Sequence, residues 1–162
     1  NTEMRTIELG SSVEIITKGT TPTTLGYNFT ESGVKFLRAQ NVINGEVFLN
    51  DDILFIDKKT HDEGLKRSKV MDGDVLLTIA GTIGRTAIVR NIKEPLNCNQ
   101  AVAIIRLGKS QIDANYLCKY LSSDLANSQF LKGKVTATIS NLSLGQIRKL
   151  KIPLPPQTAP TR

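Results

Sequence analysis

Apolar residues occur along the chain in short runs that predict β-strands. Ala101–Leu107 is apolar at nearly every position, which is typical of a strand buried on both faces and therefore central in its sheet. Val75–Ala80 and Thr86–Val89 flank the glycine-containing turn Gly81–Arg85 and predict a hairpin. Further strand-like runs are Val34–Ala39, Glu46–Leu49, Ile53–Ile56 and the proline-containing edge segment Lys151–Pro156.

The pair Asn44-Gly45 lies between two of these runs and is a strong signal for a tight hairpin turn. Nearer the N-terminus, Ser11 is followed three residues later by Glu14, a capping-box pattern that predicts a short helix ending at Gly19. The stretch Lys18–Thr30 is rich in Gly, Pro and Thr and predicts an exposed loop.

Helical periodicity is concentrated after residue 110. Asp113 is placed to cap one longer helix that Gly133 ends, and the apolar residues of this helix recur at three- and four-residue spacing. The predicted core positions of this helix are Tyr116, Leu117, Tyr120, Leu121 and Leu125. Ser143 and Gln146 form a second capping box before a short helix, with Leu142 and Ile147 placed as a hydrophobic staple.

The composition favours one β-rich domain. A chain of 162 residues can form a single core, and we expect one domain over residues 1–156 with a tail over 157–162. Hydrophobic residues make up 40% of the chain and aromatic residues 5%, so the core depends on Ile, Leu and Val. Lys and Arg outnumber Asp and Glu by 21 to 15, and the net charge of +6 attracts polyanions without requiring one.

Several classes of protein are disfavoured by what the sequence lacks. Cys98 and Cys118 have neither metal-ligand spacing nor further cysteines, which favours reduced thiols in a cytoplasmic protein and predicts no metal and no cofactor. No apolar run of membrane-spanning length and no signal-peptide pattern is present, so we expect a soluble protein without a membrane partner.

Catalytic motifs are also missing. His61 is the single histidine, no Gly-x-Ser-x-Gly elbow is present, and we expect His61 to be solvated within the charged segment Asp57–Lys69, which has room for a short helix. The acidic pairs Asp51-Asp52 and Asp62-Glu63 are adjacent in sequence and therefore point in different directions. These features predict a protein that is not an enzyme.

The turn Gly81–Arg85 has two interpretations. Its spacing fits neither a P-loop nor a dinucleotide-binding fingerprint, and its strand-like flanks differ from the helices around the Gly-x-x-Gly loop of an RNA-binding KH domain. It is either a hairpin tip whose amides and Arg85 meet phosphate, or an ordinary tight turn. Spacing alone favours the ordinary turn.

Basic residues lie in clusters beside segments that are rich in amides and hydroxyls. Examples of these segments are Gln40-Asn41, Asn97–Gln100 and Thr136–Asn141. Asn and Gln can bond adenine, Arg can bond guanine and Lys suits phosphate, so the combination has the chemistry of DNA groove reading. Each cluster taken alone is equally compatible with a solvated surface.

The order of the segments resembles that of target-recognition domains in the specificity subunits of type I restriction-modification enzymes. The resemblance runs from about residue 7 to residue 156. It rests on Leu9-Gly10, Lys18–Pro22, Phe36–Val42, Gly73–Ala87, Asn99–Val102 and Ile152–Pro156.

The resemblance implies an α+β fold with a curved, largely antiparallel β-sheet, one longer helix and several short helices. It also implies sequence-specific recognition of double-stranded DNA, with each domain reading one half of a split site. Methylation and cleavage would belong to a methyltransferase subunit and a restriction subunit, and a second recognition domain would be present in cis or through dimerisation. This chain departs from the family plan because it carries one domain and reaches its tail where a spacer helix would begin.

Individual contact residues follow from the resemblance together with side-chain chemistry. The residues expected at or near bases are Arg38, Gln40, Arg85, Asn97, Asn99, Gln100, Thr138 and Asn141. The residues expected at phosphates are Lys18, Lys66, Arg67, Lys132 and Lys134.

Two alternatives remain open at this point. The first is a basic protein-protein docking module, for example within the same restriction complex, and salt-sensitive binding to duplex DNA would discriminate against it. An RNA-binding module would prefer single strands, and Tyr27, Phe29 and Phe48 are the aromatic residues that could stack on its bases.

Overall fold

The computed structural model of the chain describes residues 5–132 and 139–155. Within these residues the strands are β1 (Arg5–Glu8), β2 (Ile15–Lys18), β3 (Val34–Leu37), β4 (Val42–Ile43), β5 (Glu46–Val47), β6 (Leu54–Ile56), β7 (Val75–Thr78), β8 (Thr86–Ile88), β9 (Leu96–Cys98), β10 (Val102–Arg106) and β11 (Lys151–Leu154). The α-helices are α1 (Leu9–Ser12), α2 (Ala114–Leu121), α3 (Asp124–Leu131) and α4 (Leu144–Arg148). Shorter helical turns lie at Pro22–Leu25, Ala39–Asn41, Thr60–Gly64 and Lys66–Ser68.

The main sheet has the antiparallel strand order β2-β10-β7-β8. The apolar run ending in Leu107 therefore supplies an interior strand, and all of β10 except Arg106 is buried. The predicted β7-β8 hairpin across Gly81–Arg85 is also confirmed. Both faces of this sheet are covered, which explains why its strands read as continuous apolar runs.

A second sheet has the order β6-β3-β9, in which β3 and β9 are parallel. The Asn44-Gly45 turn closes the β4-β5 hairpin with φ values of 52° and 84°, the left-handed conformation that a tight hairpin turn needs. Strand β11 pairs antiparallel with β1. The predicted α+β class with largely antiparallel pairing is confirmed, but the strands are divided among several sheets.

Successive side chains of the main sheet enter different parts of the core. Val75, Leu77 and Ile105 pack with apolar residues of α2, α3 and α4. Leu76 and Ile104 point the other way and pack with residues of β3 and β9. The main sheet is thus the middle layer between the helices and the second sheet, and it fixes where its loops emerge.

The helix predicted from Ser11 and Glu14 is wrong. Helix α1 begins earlier and ends at Ser12, and the Ser11 hydroxyl donates to the Glu8 carbonyl at 3.2 Å rather than capping the helix. Ile15 and the residues after it form β2, because backbone pairing with β10 completes the main sheet. Tertiary pairing outweighs the weak local capping signal here.

The single longer helix predicted after Asp113 is divided. Asp113 caps α2 as expected, but the helix ends at Leu121 and Ser123 caps α3. The restart changes the helical phase, so Leu125 is 66% exposed instead of belonging to the core. The capping box of Ser143 and Gln146 at α4 is confirmed, and the predicted stop at Gly133 lies outside the described residues.

Candidate nucleic-acid interface

The loops that carry most of the predicted contact residues emerge at one end of the main sheet. The register pairs Ala103 with Lys18, Val102 with Thr78, and Leu77 with Thr86. Strand β3 joins the same end, because Leu37 pairs with Cys98. We call this surface the loop end, and it consists of Lys18–Thr21, Arg38–Gln40, Ala80–Arg85, Asn99–Ala101 and Asn141.

Close backbone contacts hold these loops together. A Cβ atom on Gly19 would lie 1.9 Å from the Cys98 carbonyl oxygen and 2.5 Å from that of Asn99, so only glycine permits this approach. The Gly19 amide also donates to Val102 O at 3.3 Å. The result is that the end of β2 lies directly against the turn that carries Gln100.

Asn141 reaches the loop end through the main chain. It forms an antiparallel bridge with Ala80, and the following amide of Leu142 donates to Ile79 O at 2.9 Å. A shallow cavity of about 350 Å³ separates these residues from the end of β2. Its lining consists of Lys18, Ile79, Ala80, Gln100, Asn141, Leu142, Ser143 and Gln146. The cavity thus brings together three of the predicted contact residues, which are Lys18, Gln100 and Asn141.

The amide side chains around this cavity differ in how many hydrogen bonds they make to the protein. Gln146 is committed to the protein, since its Oε1 accepts from Ser143 N at 2.9 Å and its Nε2 donates to Phe130 O at 3.3 Å. The Oε1 of Gln100 accepts a hydrogen bond from the Thr21 hydroxyl. This is the single hydrogen bond that the Gln100 amide makes to the described residues. Its Nε2 donors remain free for a ligand.

Arg85 and Arg38 both lie at the loop end, but their side chains differ in exposure and in their bonds to the protein. Arg85 is exposed, and its backbone is fixed by bonds to Thr78, including one from Arg85 N to Thr78 Oγ1 at 2.9 Å. The side chain of Arg38 is 26% exposed and donates from Nη2 to Asp52 O at 2.7 Å. Gln40 is exposed beside it. Arg85 is therefore the freer of the two cations.

The structure corrects the expectation that Asn97 contacts bases. Asn97 is 0% exposed, and its amide bonds to His61, Ser68 and two backbone groups. His61 is likewise buried at 6% exposure, whereas the sequence predicts a solvated histidine. The two side chains satisfy each other, because Asn97 Nδ2 lies 3.0 Å from His61 Nδ1. Both belong to the core.

Asn99 is partly exposed and has a structural role of its own. Its Oδ1 accepts from Ala101 N at 3.0 Å, which shapes the turn before β10. Of the phosphate candidates, Lys66 and Arg67 are exposed on a helical turn that packs beside β2. Lys132 lies in a groove of about 270 Å³ that shares Ser143 and Gln146 with the cavity. Thr138 and Lys134 lie outside the described residues.

Sequence reasoning missed two side chains of this surface. Thr21 bonds to Gln100, and Lys149 lines the same groove as Lys132. Thr21 is one of several threonines in a loop-like stretch, and nothing local distinguishes it from its neighbours. Lys149 belongs to the basic cluster after α4, whose position beside α3 depends on tertiary packing.

The two thiols are not arranged for nucleophilic chemistry. Burial raises the pKa of the Cys98 thiol to about 12, and burial also raises the pKa of Cys118. Within residues 5–132 and 139–155, no three His, Cys, Asp or Glu side chains are grouped to hold a metal ion. In the same part of the chain, no helix has the length and apolar character that crossing a membrane requires.

The loop end thus presents lysine, arginine and amide groups where the strands of the main sheet end. This combination is the chemistry of a surface that binds a polyanion. The chain belongs to the family of type I restriction-modification DNA specificity domains, whose model matches residues 1–159.

Individual proteins are similar to parts of the chain. It is 33% identical over 127 residues to the EcoBI type I restriction enzyme specificity subunit of Escherichia coli, a match that covers 77% of this chain and 26% of that protein. The chain therefore spans about a quarter of the length of this curated relative.

Solved structures share the fold. The HsdS subunit of Thermoanaerobacter tengcongensis aligns with a TM-score of 0.60 at 20% identity, over 94% of this chain and 33% of that one. A chain from a study of complex assembly and conformational transition in the type I restriction-modification system aligns with a TM-score of 0.59 at 18% identity, over 94% and 34%. The S subunit of M. genitalium aligns with a TM-score of 0.51 at 14% identity, over 96% and 35%.

Proposed function

We propose that this chain recognises a short double-stranded DNA sequence and supplies the specificity for one half of a split site to a type I restriction-modification complex. The observation that carries the proposal is the convergence at the loop end of loops from several strands. These loops bring Lys18, Gln100 and Asn141 around one cavity, with Arg85 exposed on the neighbouring hairpin. The family to which the chain belongs supports the same function.

The proposed contacts are the predicted ones with one removal and one addition. Near bases we keep Arg38, Gln40, Arg85, Asn99, Gln100, Asn141 and Thr138. Near phosphates we keep Lys18, Lys66, Arg67, Lys132 and Lys134. Asn97 is removed because a residue that is 0% exposed cannot reach DNA without unfolding its surroundings. Lys149 joins the phosphate set, because it lines the groove of Lys132.

The chemical steps of the complex belong, in this proposal, to other subunits. The chain spans about a quarter of the length of the EcoBI specificity subunit, to which it is similar. We propose one recognition domain over residues 1–156, with residues 157–162 as a tail. Its partners are a methyltransferase subunit, through it a restriction subunit, and a second recognition domain in cis or by dimerisation. It acts in the cytoplasm without cofactor or metal.

One aromatic contact bears on RNA as the alternative ligand. Phe29 is 38% exposed but packs edge-on against the buried Phe36, with ring centroids 5.3 Å apart, so part of this candidate stacking residue is engaged by the protein. Single-stranded RNA recognition depends on such free aromatic faces. Duplex DNA, read by amides and cations, fits the loop end better.

Salt-dependent binding tests the proposal. We expect the chain to bind a randomised duplex with an affinity that falls steeply as salt rises, because phosphate contacts release counterions. The double variant Lys66→Ala with Arg67→Ala should reduce the slope of log K against log salt by about two, at about one per phosphate contact.

The matched control is Lys93→Ala with Lys109→Ala, which removes the same charge from exposed positions outside the proposed set of phosphate contacts. This control should leave the slope within experimental error of the wild-type value. Equal slopes for both double variants would contradict the proposed phosphate contacts of Lys66 and Arg67, and salt-insensitive binding would instead support a protein docking module.

A further inference from the structure

Thr21 fixes the orientation of the Gln100 side chain at the loop end. The hydroxyl of Thr21 donates to Gln100 Oε1, so the carboxamide oxygen points toward Thr21 and the Nε2 group is turned away from it. A free glutamine can present either its oxygen or its nitrogen to a ligand. In this arrangement Gln100 presents a donor.

The segment around Thr21 is built to hold that hydroxyl in place. Thr21 precedes the helical turn Pro22–Leu25, where a threonine hydroxyl commonly caps the turn, but here it makes no capping bond and points to Gln100 instead. Pro22 is buried, and the Thr21 carbonyl accepts from Thr24 N at 3.1 Å and from the Thr24 hydroxyl at 2.7 Å. Gln100 is therefore preorganised before any ligand binds.

Lys18 at this cavity also offers hydrogen-bond donors. Lys18 and Gln100 both line the cavity of about 350 Å³, and an ammonium group offers donors and no acceptor. Both side chains therefore offer hydrogen-bond donors to a ligand in the cavity. Guanine is the base whose major-groove edge offers two acceptors side by side, N7 and O6, without a donor of its own.

We infer that Lys18 and Gln100 read a guanine, and that Thr21 is the positioning residue that sets this preference. The inference rests on the proposed function and names the base class that one part of the loop end selects. Adenine would need both the oxygen and the nitrogen of the glutamine amide to face the base for its bidentate pair, and the oxygen is turned toward Thr21. This assigns Lys18 to a base instead of a phosphate.

A randomised duplex pool tests the inference by selection and sequencing. The wild-type chain should enrich duplexes with one position at which guanine exceeds adenine by roughly tenfold, the discrimination of a good bidentate contact. Thr21→Val keeps the shape of the side chain and removes the hydroxyl, so the amide can rotate and the guanine excess at that position should fall to within about threefold of adenine. Thr21→Ser keeps the hydroxyl and should restore the guanine preference.

Two further variants separate positioning from folding. Gln100→Glu replaces the donor by acceptors and should move the preference at that position toward cytosine, whose N4 group is a donor. Thr23→Val is the matched control, because Thr23 is exposed in the same helical turn and should change nothing.

The outcomes also distinguish the two proposals. If the wild-type chain enriches no sequence, the proposed function fails. If it enriches a sequence and Thr21→Val leaves every base preference unchanged, DNA recognition stands and the role of Thr21 is contradicted.

Discussion

Asn97 uses the full hydrogen-bonding capacity of its carboxamide inside the protein. Its Nδ2 lies 3.0 Å from His61 Nδ1 and donates to Leu65 O at 2.9 Å, while its Oδ1 accepts from Ser68 Oγ at 2.7 Å and from Cys98 N at 2.9 Å. These bonds tie β9 to the helical turns that precede it. The side chain is therefore structural, and its effect on DNA binding should be indirect.

Replacing Asn97 by Ala should destabilise the domain by about 2 kcal/mol or more, because buried polar groups lose their partners. Chemical denaturation followed by circular dichroism measures the change. Asn127→Ala removes an exposed amide from α3 and should stay within about 0.5 kcal/mol of the wild type. An Asn97→Ala protein as stable as this control would contradict the role assigned to the buried network.

His61 gives the domain a pH dependence in the mildly acidic range. Burial, reinforced by the charge of Lys69, lowers the pKa of His61 below its ordinary value of 6.5. Because Asn97 Nδ2 is a donor, His61 Nδ1 accepts and the neutral ring is the folded form. The unfolded chain binds the proton more readily, so stability is full above about pH 6.5 and falls as the pH drops toward the lowered value.

Denaturation midpoints measured between pH 7.5 and pH 5 should therefore decline for the wild type. His61→Gln removes the single histidine of the chain and should flatten the decline across that interval. An equally steep decline in the variant would place the titrating group elsewhere.

The roles of Asn97 and His61 are hard to predict from the sequence, because burial decides them. The sequence shows amide-rich residues at Asn97, Asn99 and Gln100, and side-chain type alone assigns all three to DNA. All three residues of β9 are buried, so Asn97 is enclosed on either face of the strand, whereas Gln100 lies beyond the strand and is exposed. Gln100 and Asn141 were predictable as surface amides, but the partnership of Gln100 with Thr21 depends on a fold contact between distant segments.

At the scale of elements, Gly19 is the point where β2 meets the turn before β10. Gly19→Ala would place a Cβ atom 1.9 Å from the Cys98 carbonyl, and backbone atoms must move to relieve the clash. We expect a loss of stability of about 1–3 kcal/mol, the usual cost of forcing extra volume into a packed site. DNA affinity should fall as well, because the displaced turn carries Gln100.

Gly145→Ala is the matched control, since its nearest neighbour outside the adjoining backbone, Ser143 Oγ, would be 3.7 Å from the new Cβ and the position is helical. It should leave stability unchanged or raise it by up to about 1 kcal/mol. Thermal denaturation of the two variants checks both expectations. A tolerated Gly19→Ala would show that the close approach is not required.

The elements that sequence predicted best are those with strong local signals. The β7-β8 hairpin, the Asn44-Gly45 turn and the capping box at Ser143 all depend on residues close in sequence. The segment Ile15–Lys18 was mistaken for helix because its partner, β10, lies far away along the chain. The break between α2 and α3 is missed for a different reason: the apolar spacing continues across Ser122 and Ser123 and hides the local cap at Ser123.

At the scale of the whole molecule, the main sheet separates a structural end from the loop end. The ion pair of the buried Asp74 with the partly exposed Arg106, with bonds of 2.9 Å from both Nε and Nη2, lies at the end opposite Gln100. The fold class and the family could be predicted from the sequence, because the order of the motifs along the chain indicates both. Which loops share a surface follows only from strand register.

Sequence selection from a randomised duplex pool tests the central claim that the loop end reads DNA. The chain is compared with Gln100→Ala combined with Asn141→Ala at the loop end, and with Gln111→Ala combined with Asn115→Ala, exposed amides away from it. We predict that the wild type and the second variant enrich the same short motif and that the loop-end variant loses preference at one or more of its positions. A loop-end variant that selects the unchanged wild-type motif would contradict the account.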